Sequence, residues 1–496
     1  STQQATADEE KYPGATILIG KVKMEHEGAT LDCQRALLYK KENIFKALGE
    51  VIIEQGDSII QYSDFAIYNG DTKKAKSWGN VEINDKEMKL TTDTLHFDRL
   101  NQILYYPSGG TIRDKKNTLK SIKGTYFLKD KKFTAKSKVT VVNPDNNLES
   151  DHLDYYTNSN LAYLYGPSTV TNLKDSTKVY SERGFYDTNT DISYFVKNAK
   201  LFLKERTILA DSLYYDKRKG FASATNRIKV IDTLQNMVTK GNYAELYEKK
   251  DSLFIINRAV AISVLDKDSM YVAGDKILLT GKPEKRIVRI FKNVKIFKSD
   301  LQGKCDSIHI NQNTGITRMF KNPVLWSKKN QITGDSIHLI SNTETEKLDS
   351  LKILNNALIV ELDTVIGNAS TYNQIKGRNM YGKFVDGKMK YFYVNGNAEV
   401  IYFNRNEEGF TETITKQKTS NIEFELDTED NAINFIKYLK KPEGKSYPPK
   451  KLPKIERKLK GFIWRDEERP KTKEDIFKVD KTSQKKETIS NLKKES

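Results

Sequence analysis

Apolar and polar residues alternate in short runs along most of the chain, and similar runs recur about every 30 residues. The clearest recurring unit is a small residue, then Asp, then apolar residues at alternate positions, as in residues 63–68, 210–215 and 334–339. Alternation with β-branched and aromatic residues predicts half-buried β-strands. Self-similarity at a fixed spacing predicts a repeat protein rather than a set of unrelated globular domains.

A second recurring unit, typified by Gly79-Asn80-Val81, lies between copies of the first. We interpret it as a turn that leads into a second alternating segment. Each repeat is therefore predicted to hold two strands separated by polar turns such as residues 69–71 and 311–313. One late interval is longer than the others, which predicts an insertion of about a dozen residues within 340–376.

Strand parity assigns the faces. With the Asp counted as position zero, the side chains at +2 and +4 share one face, because successive side chains of a strand point to opposite sides. That face is apolar in copy after copy. The residues predicted to line it are Tyr68, Val81, Ile83, Leu95, Phe97, Leu153, Tyr155, Leu213, Tyr215, Val260, Ile262, Ile277, Leu279, Val294, Ile296, Ile308, Ile310, Ile337 and Leu339.

A unit of about 30 residues with one apolar face cannot bury that face alone, so neighbouring repeats must stack. The expected fold is all-β, an elongated β-jellyroll or β-solenoid trough of about twelve stacked two-strand repeats, on the order of 115 Å long. We expect a disordered leader at residues 1–15, the repeat array at 16–438, and a disordered basic tail rich in Pro, Lys and Glu at 439–496.

Composition and charge agree with a thin, one-sided core. The 496 residues are 37% hydrophobic and carry a formal net charge of +17. Residues 437–496 contain 20 Lys or Arg and 10 Asp or Glu, so +10 of that charge lies in the tail and not in a basic stripe typical of nucleic-acid binding. The chain begins at Ser1 without a basic and apolar leader, which fits a mature product whose signal peptide has been removed.

The alternation of the Gly-Asn-Val unit with Ser/Thr-Asp-x-Leu-x-Phe/Tyr strands, such as residues 92–97, resembles the LptA/OstA-like family of periplasmic lipopolysaccharide-transport proteins. The long OstA-like forms of Bacteroidetes-type bacteria are the most similar, and the resemblance covers roughly residues 15–435. It implies a trough open along one edge that shields acyl chains across the periplasm, without enzymatic activity and without a cofactor.

The same resemblance implies the partners. They are lipopolysaccharide, an inner-membrane extraction complex and an outer-membrane translocon, with end-to-end self-association of the bridge protein. The chain departs from the family's short forms in its number of repeats and in its basic tail. The C-terminal part of the sequence contains no series of amphipathic strands long enough for an outer-membrane barrel, so the chain does not resemble the translocon itself.

Alternatives remain open on the residues alone. The apolar face could line an acyl-chain groove or fill the packed core of a structural, scaffolding β-solenoid of the cell envelope. His96, His309 and His338 recur at +3 on the polar face, which indicates a surface preference and not a metal or catalytic cluster. The tail could be a linker, a lipid-phosphate contact, or a docking peptide anchored by Phe462, Ile463, Trp464 and Arg465.

Overall fold

Antiparallel hairpins dominate the computed structural model. It describes residues 1–26, 28–55, 59–84, 88–187, 189–203, 206–234, 236–264, 268–282, 285–345, 347–366, 369–427 and 433–478. Two compact units divide the chain, Ser1–Ala224 and Thr225–Ser496. Within each unit the long strands pair antiparallel with the next strand along the chain, which confirms the all-β repeat prediction.

Within its described residues the first unit contains seventeen strands. They are β1 (Gln4–Ala7), β2 (Thr16–His26), β3 (Ala29–Tyr39), β4 (Ile44–Gln55), β5 (Ile59–Asn69), β6 (Lys74–Asn84), β7 (Met88–Asp98), β8 (Ile103–Tyr106), β9 (Gly110–Asp114), β10 (Thr118–Ser121), β11 (Lys123–Phe127), β12 (Lys132–Val142), β13 (Asn146–Tyr156), β14 (Leu161–Asn172), β15 (Lys178–Asp187), β16 (Ile192–Phe202) and β17 (Arg206–Asp216).

The boundary between the units falls within β18 (Phe221–Asp232). The following strands are β19 (Met237–Tyr247), β20 (Ser252–Val264), β21 (Ser269–Thr280), β22 (Ile287–Phe297), β23 (Gln302–Asn311), β24 (Ile316–Phe320), β25 (Val324–Ser327), β26 (Asn330–Thr333), β27 (Ser336–Ser341), β28 (Leu348–Ile366), β29 (Ala369–Val385), β30 (Lys388–Arg405), β31 (Thr411–Leu426), β32 (Ile433–Leu439) and β33 (Glu443–Tyr447). Short 3-10 helices occur at Glu248–Lys250, Pro449–Lys451, Lys454–Arg457, Asp466–Glu468 and Asp475–Phe477.

The predicted polar turns close the hairpins. In the turn after β5, the Asn69 side-chain oxygen accepts hydrogen bonds from the backbone N–H groups of Asp71 and Thr72, at 3.0 and 2.9 Å. Asn311 caps the turn after β23 in the same way. These Asx turns satisfy backbone donors that would otherwise be unpaired where the chain reverses, so Asn is favoured at the end of each strand.

The Gly-Asn-Val unit is not the turn that the sequence predicted. Gly79 and Asn80 lie in the middle of β6, where both adopt left-handed φ values of 75° and 49° and the pairing with β7 shifts between Trp78 and Val81. We call such a pair of left-handed residues in mid-strand a corner. Equivalent corners are Gly20/Lys21, Gly49/Glu50, Ser137/Lys138, Lys197/Asn198, Asn226/Arg227, Asn257/Arg258, Lys292/Asn293, Asn355/Asn356 and Gly396/Asn397, and a similar pair, Lys321/Asn322, lies between β24 and β25.

The repeated Asp contributes to the corners. Asp64 faces the corner of the next strand, and its carboxylate accepts a 2.9 Å hydrogen bond from the side-chain amide of Asn80. The same link joins other corners to the preceding strand: Asp275 to Asn293, Asp335 to Asn356, and Glu182 to Asn198. The two sequence motifs therefore meet in one hydrogen-bonded contact, between the Asn of a corner and the acidic residue that precedes it at the zero position.

The core lies between the two halves of the bent strands. Phe45 and Ala47 precede the corner of β4 and Val51 follows it, yet all three belong to one buried cluster together with Ala36 and Ala66 of the neighbouring strands. A strand bent at a corner therefore folds back over its own apolar side. Neighbouring strands extend this core by one layer each, as expected for stacked repeats.

The predicted parity is observed in the strand segments that follow the zero position. The +2 side chains are deeply buried, with Leu95, Ile277 and Ile337 exposing 2% or less of their surface. The +4 side chains such as Phe97 and Tyr155 are half-buried. The apolar face is therefore an inner face, with the +2 row at its floor and the +4 row towards its rim.

Two boundary expectations need correction. Residues 1–15 are not a disordered leader, because β1 pairs with β2 from Gln4 to Ala7. The extra residues predicted within 340–376 lie in strands. They lengthen the hairpin of β28 and β29, which contain 19 and 17 residues against the 11 typical of the first unit.

The second correction concerns the tail. Residues 443–478 form β33 and a series of 3-10 turns that pack on the second unit, whereas residues 479–496 lie outside the described part of the chain. Composition predicted disorder because the segment is rich in Pro, Lys and Glu. The segment is ordered because an apolar face of the same unit supplies the partner that its few apolar residues need.

The corner geometry generates a stability prediction. Gly79→Ala should lower the free energy of unfolding by about 1 kcal/mol for the left-handed backbone and by about 1 kcal/mol or more for crowding, since an added Cβ would lie 2.8 Å from Cβ of Asp64. Gly28→Ala is the matched control, because Gly28 has a similar φ of 80° but an open Cβ site. Urea denaturation should show the larger loss for Gly79→Ala; equal losses would contradict the role of corner packing.

Candidate functional site

The candidate site in the first unit is the inner face itself. Val81 and Ile83 of β6 and Leu95 of β7 form one buried cluster, against which Ile59, Leu90 and Leu104 pack. These side chains come from both sides of the corners of neighbouring strands. The face is apolar because, on each side of the bend, apolar side chains at alternate positions point to it.

The structure places all the predicted lining residues on strands of the repeats. In the first unit Tyr68 lies on β5, Val81 and Ile83 on β6, Leu95 and Phe97 on β7, Leu153 and Tyr155 on β13, and Leu213 and Tyr215 on β17. In the second unit Val260 and Ile262 lie on β20, Ile277 and Leu279 on β21, Val294 and Ile296 on β22, Ile308 and Ile310 on β23, and Ile337 and Leu339 on β27. Contact of these residues with lipid stays a prediction.

The inner face of the second unit has an occupant. After β33 the chain, from residue 449 to residue 478, runs back along this unit as a segment that we call the strap. The strap alternates 3-10 turns with extended residues, and no strand pairing is assigned within it. It meets the strands in reverse order, from β31 and β29 near its start to β22 and β21 near its end.

Buried glutamines hold the strap by its main chain. The side-chain amide of Gln374 donates to the carbonyl oxygen of Arg457 at 2.8 Å and accepts from the N–H of Leu459 at 2.8 Å. Gln331 binds the strap in the same two-way manner, donating to the carbonyl of Ile463 at 2.7 Å and accepting from the N–H of Arg465 at 2.7 Å. Each amide therefore imitates a β-ladder partner for one step of the strap.

A third glutamine continues the row. Gln302 accepts a 2.8 Å hydrogen bond from Nε of the Arg469 side chain. Gln302, Gln331 and Gln374 expose 4%, 0% and 1% of their surface. All three glutamines stand four residues before the zero position of their repeats. They bond to strap residues that are six positions apart, Arg457, Ile463 and Arg469, so each step of six residues along the strap meets the next glutamine.

Apolar side chains anchor the strap at both ends. Leu452 and Leu459 enter a buried cluster with Leu358, Val360 and Ile401, and the rings of Phe462 and Trp464 lie 5.1 Å from the ring of Tyr372. At the other end Ile476 is buried against two predicted lining residues, Val260 and Ile262, and against Ala273. The strap thus covers part of the face that the sequence assigned to lipid.

Charged groups fix the middle of the strap. Glu468 pairs with Arg465 within the strap, at 2.8 Å, and with Lys304 of β23. Hydrogen bonds from Arg465 and Lys304 outweigh partial burial and lower the pKa of Glu468 to about 2. Near the end of the strap, the hydrogen bond from Lys478 and backbone donors lower the pKa of Asp475 to about 2.

The four residues predicted to dock a partner have different environments. Phe462 and Trp464 pack on Tyr372, and Arg465 pairs with Glu468. Ile463 is the outward member, with 66% of its surface exposed. Docking of this cluster to an outer-membrane partner stays a prediction, but Phe462 and Trp464 would have to leave Tyr372 to take part.

The remaining titratable groups give little sign of chemistry. Burial lowers the pKa of His96, His309 and His338, and His96 stacks on Tyr105 at 4.7 Å, so these side chains act as flat packing groups. Cys33 and Cys305 are buried free thiols, and burial raises the pKa of Cys305 to about 12. Within the described ranges, His, Cys, Asp and Glu do not gather in threes at any point that could hold a metal ion.

Across the described residues, helices long and apolar enough to cross a bilayer are not found.

Bent hairpins with a shared inner face define a class of β-repeat protein, and the family can be named within it. A family model described as OstA-like protein matches residues 1–151 and 154–263, more than half of the chain. The chain belongs to the family of OstA-like proteins. Comparison with curated proteins gives no match.

Among solved structures, the chain is similar to LptH of Pseudomonas aeruginosa, the LptA homologous periplasmic component of the conserved lipopolysaccharide transport device. The sequence identity is 18%, the match covers 23% of this chain and 82% of that chain, and the TM-score is 0.21. So distant a match adds nothing to the family assignment.

Sequence reasoning missed the glutamine row. The signal was the recurrence of Gln302, Gln331 and Gln374 at one repeat position, although polarity alone did not mark it because earlier repeats hold residues such as Lys89 and Asn147 there. What was missing is the partner, since the amides bind groups of the strap that lie 83 to 167 residues away in sequence.

The ion pairs of the strap generate a pH prediction. Glu468→Gln should destabilise the second unit at pH 7 by about 1 kcal/mol, because two partly exposed ion pairs are lost. The folded pKa of about 2 lies below the usual value of 4.5, so the stabilisation is complete above pH 4.5 and is lost as the pH falls through 2. Urea denaturation at pH 7 and at successively lower pH should show the difference from the wild type shrinking.

Glu467→Gln is the control for this experiment, because the neighbouring Glu467 is exposed to solvent. It should leave the denaturation midpoint unchanged at each pH. A Glu468→Gln protein as stable as the wild type at pH 7 would contradict the proposed contribution of these ion pairs.

Proposed function

We propose that this protein carries lipopolysaccharide across the periplasm, with its inner apolar face shielding the acyl chains from water. The observation that carries the proposal is the inner face itself, apolar at the same position in successive repeats. Membership of the OstA-like family and the resemblance to LptA/OstA-like transport proteins support it. The function is a non-enzymatic one.

The mechanism is passive shielding. Transferring one methylene group from water to an apolar surface gains about 0.8 kcal/mol, so an acyl chain of a dozen carbons is strongly held out of water. Equivalent apolar positions in neighbouring repeats offer similar environments, which keeps the barrier between successive positions low. Direction must come from a partner, since the sequence contains no P-loop for nucleotide hydrolysis.

The finer assignments follow from the same proposal. The acyl chains would contact the +4 side chains at the rim, such as Phe97, Tyr155 and Ile310, before the fully buried +2 row. The protein would receive lipopolysaccharide from an inner-membrane extraction complex and deliver it to an outer-membrane translocon, alone or by end-to-end self-association. We place the protein in the periplasm. Its contact with the translocon would also associate it with the outer membrane.

A structural role in the envelope is the second candidate, and burial favours it. Ile277, Ile308 and Ile337 expose 1% or less of their surface, which is the burial of a filled core. A scaffolding β-solenoid needs such a core and no lipid. The two functions differ in whether the rim residues ever touch an acyl chain.

Site-specific photo-crosslinking in cells separates the two functions. A photoreactive residue at Phe97, at Tyr155 or at Ile310 should form an adduct with lipopolysaccharide, because these half-buried side chains lie on the inner face. The adjacent His96 and His309, which have the opposite parity, are matched controls and should give little adduct. Adducts confined to the histidine positions would contradict the transport function and favour the scaffold.

A further inference from the structure

We propose that the strap is a gate, which occupies the lipid-binding face of the second unit when no lipid is present and is displaced when acyl chains enter. This proposal rests on the transport function proposed above. It concerns only the second unit, where the strap and the strands that it covers both lie.

The first argument is that strap and lipid would use the same surface. Ile476 packs on Val260 and Ile262, which the repeat pattern assigns to the lipid-contacting face. Leu452 and Leu459 pack on Leu358 and Val360, the equivalent pair in a later repeat. Since an acyl chain and these side chains cannot occupy one surface together, binding of one must release the other at these positions.

The second argument is that the strap is built to detach. Long strands of the unit are held by continuous ladders, for example eleven residue pairs between β20 and β21. The strap has no such ladder, and its regular structure is limited to 3-10 turns of three or four residues. Segments with few cooperative hydrogen bonds open locally at a small fraction of the global unfolding free energy.

The third argument concerns the groups left behind. Gln331 and Gln374 bind the strap with one donor and one acceptor each, and water can replace both partners when the strap leaves. Arg457, Arg465 and Lys458 of the strap would return to water as ordinary solvated cations. Release also costs Lys304 its ion pair with Glu468 and Lys295 its hydrogen bond to the carbonyl oxygen of Lys478, so water must solvate these ammonium groups as well when the strap leaves.

The fourth argument is that the match between strap and groove is specific to this unit. In three of the repeats crossed by the strap the contact position holds Gln302, Gln331 or Gln374, whereas the repeat that meets the end of the strap holds Tyr271. In the first unit the equivalent positions hold other residues: Leu31, Ile60, Lys89, Thr118, Asn147, Lys178 and Thr207. A tail that bound only by nonspecific apolar contact would need no such row of glutamines. A segment that binds in one defined register needs them.

Hydrogen exchange on the full chain tests the gate directly. The N–H groups of Leu459 and Arg465 are bonded to glutamine side chains, so peptides covering residues 457–465 should exchange slowly in the lipid-free protein. Saturation with lipid A, delivered below the critical concentration of its detergent, should speed their exchange about tenfold or more. Peptides from β5 and β6 in the first unit report whether lipid binds there.

The deacylated sugar phosphate of lipid A is the matched ligand control. Because the proposed displacement is by acyl chains, this soluble anion should leave exchange in residues 457–465 unchanged. Release of the strap by the deacylated compound as effectively as by lipid A would overturn the proposal, since the strap's lysines and not its apolar anchors would then be responsible.

A variant tests the same competition from the other side. Gln331→Ala with Gln374→Ala weakens the strap without altering the predicted lining residues. A more populated open state should raise the apparent affinity for lipid A about fivefold or more. Gln61→Ala is the matched control, because Gln61 is a half-buried glutamine of the first unit that bonds to Ser77 and not to the strap.

The outcomes distinguish the gate from the transport function. Lipid A binding with unchanged exchange in residues 457–465 overturns the gate and leaves transport standing, with the strap a permanent part of the core. Failure of lipid A to bind either unit of the wild type or of the variant overturns both. If the double variant does not fold, the exchange experiment on the wild type still decides.

Discussion

A strand with one apolar face must have that face covered, and in this protein the bending of strands at the corners supplies the cover. The bend brings residues such as Phe45 and Val51, on opposite sides of one corner, into a single cluster. No helix is needed to complete the core, and each added hairpin extends it by one layer. Burial, repeat length and the thin apolar fraction of the sequence all follow from this constraint.

The bend in turn dictates the polar chemistry of the repeat. Two successive residues with left-handed φ are tolerated best by Gly and Asn, which explains their recurrence at corners such as Gly79/Asn80. Asn brings a side-chain amide that reaches the carboxylate of the preceding strand, as Asn80 reaches Asp64. Asp and Asn are therefore conspicuous in the sequence because the corner needs them, and no ligand has to be invoked for either residue.

Local pattern predicted the strands, their faces and the stacking, because parity and repeat spacing are properties of short segments. It could not distinguish a corner from a hairpin turn, since Gly and Asn with positive φ are typical of both. Whether the chain at Asn80 reverses or only bends depends on the pairing of β6 with β5 and β7 over its whole length. The spacing predicted extra residues within 340–376, but not that they lengthen β28 and β29.

The strap shows a different limit of sequence reasoning. Its composition is that of a disordered segment, and the apolar residues Leu452, Leu459 and Ile476 are too sparse to form a core together. They are ordered because a preformed apolar face and a row of buried glutamines receive them one repeat at a time. Order in such a segment is a property of the complex between strap and groove, so anything that competes for the groove also sets the order of the strap.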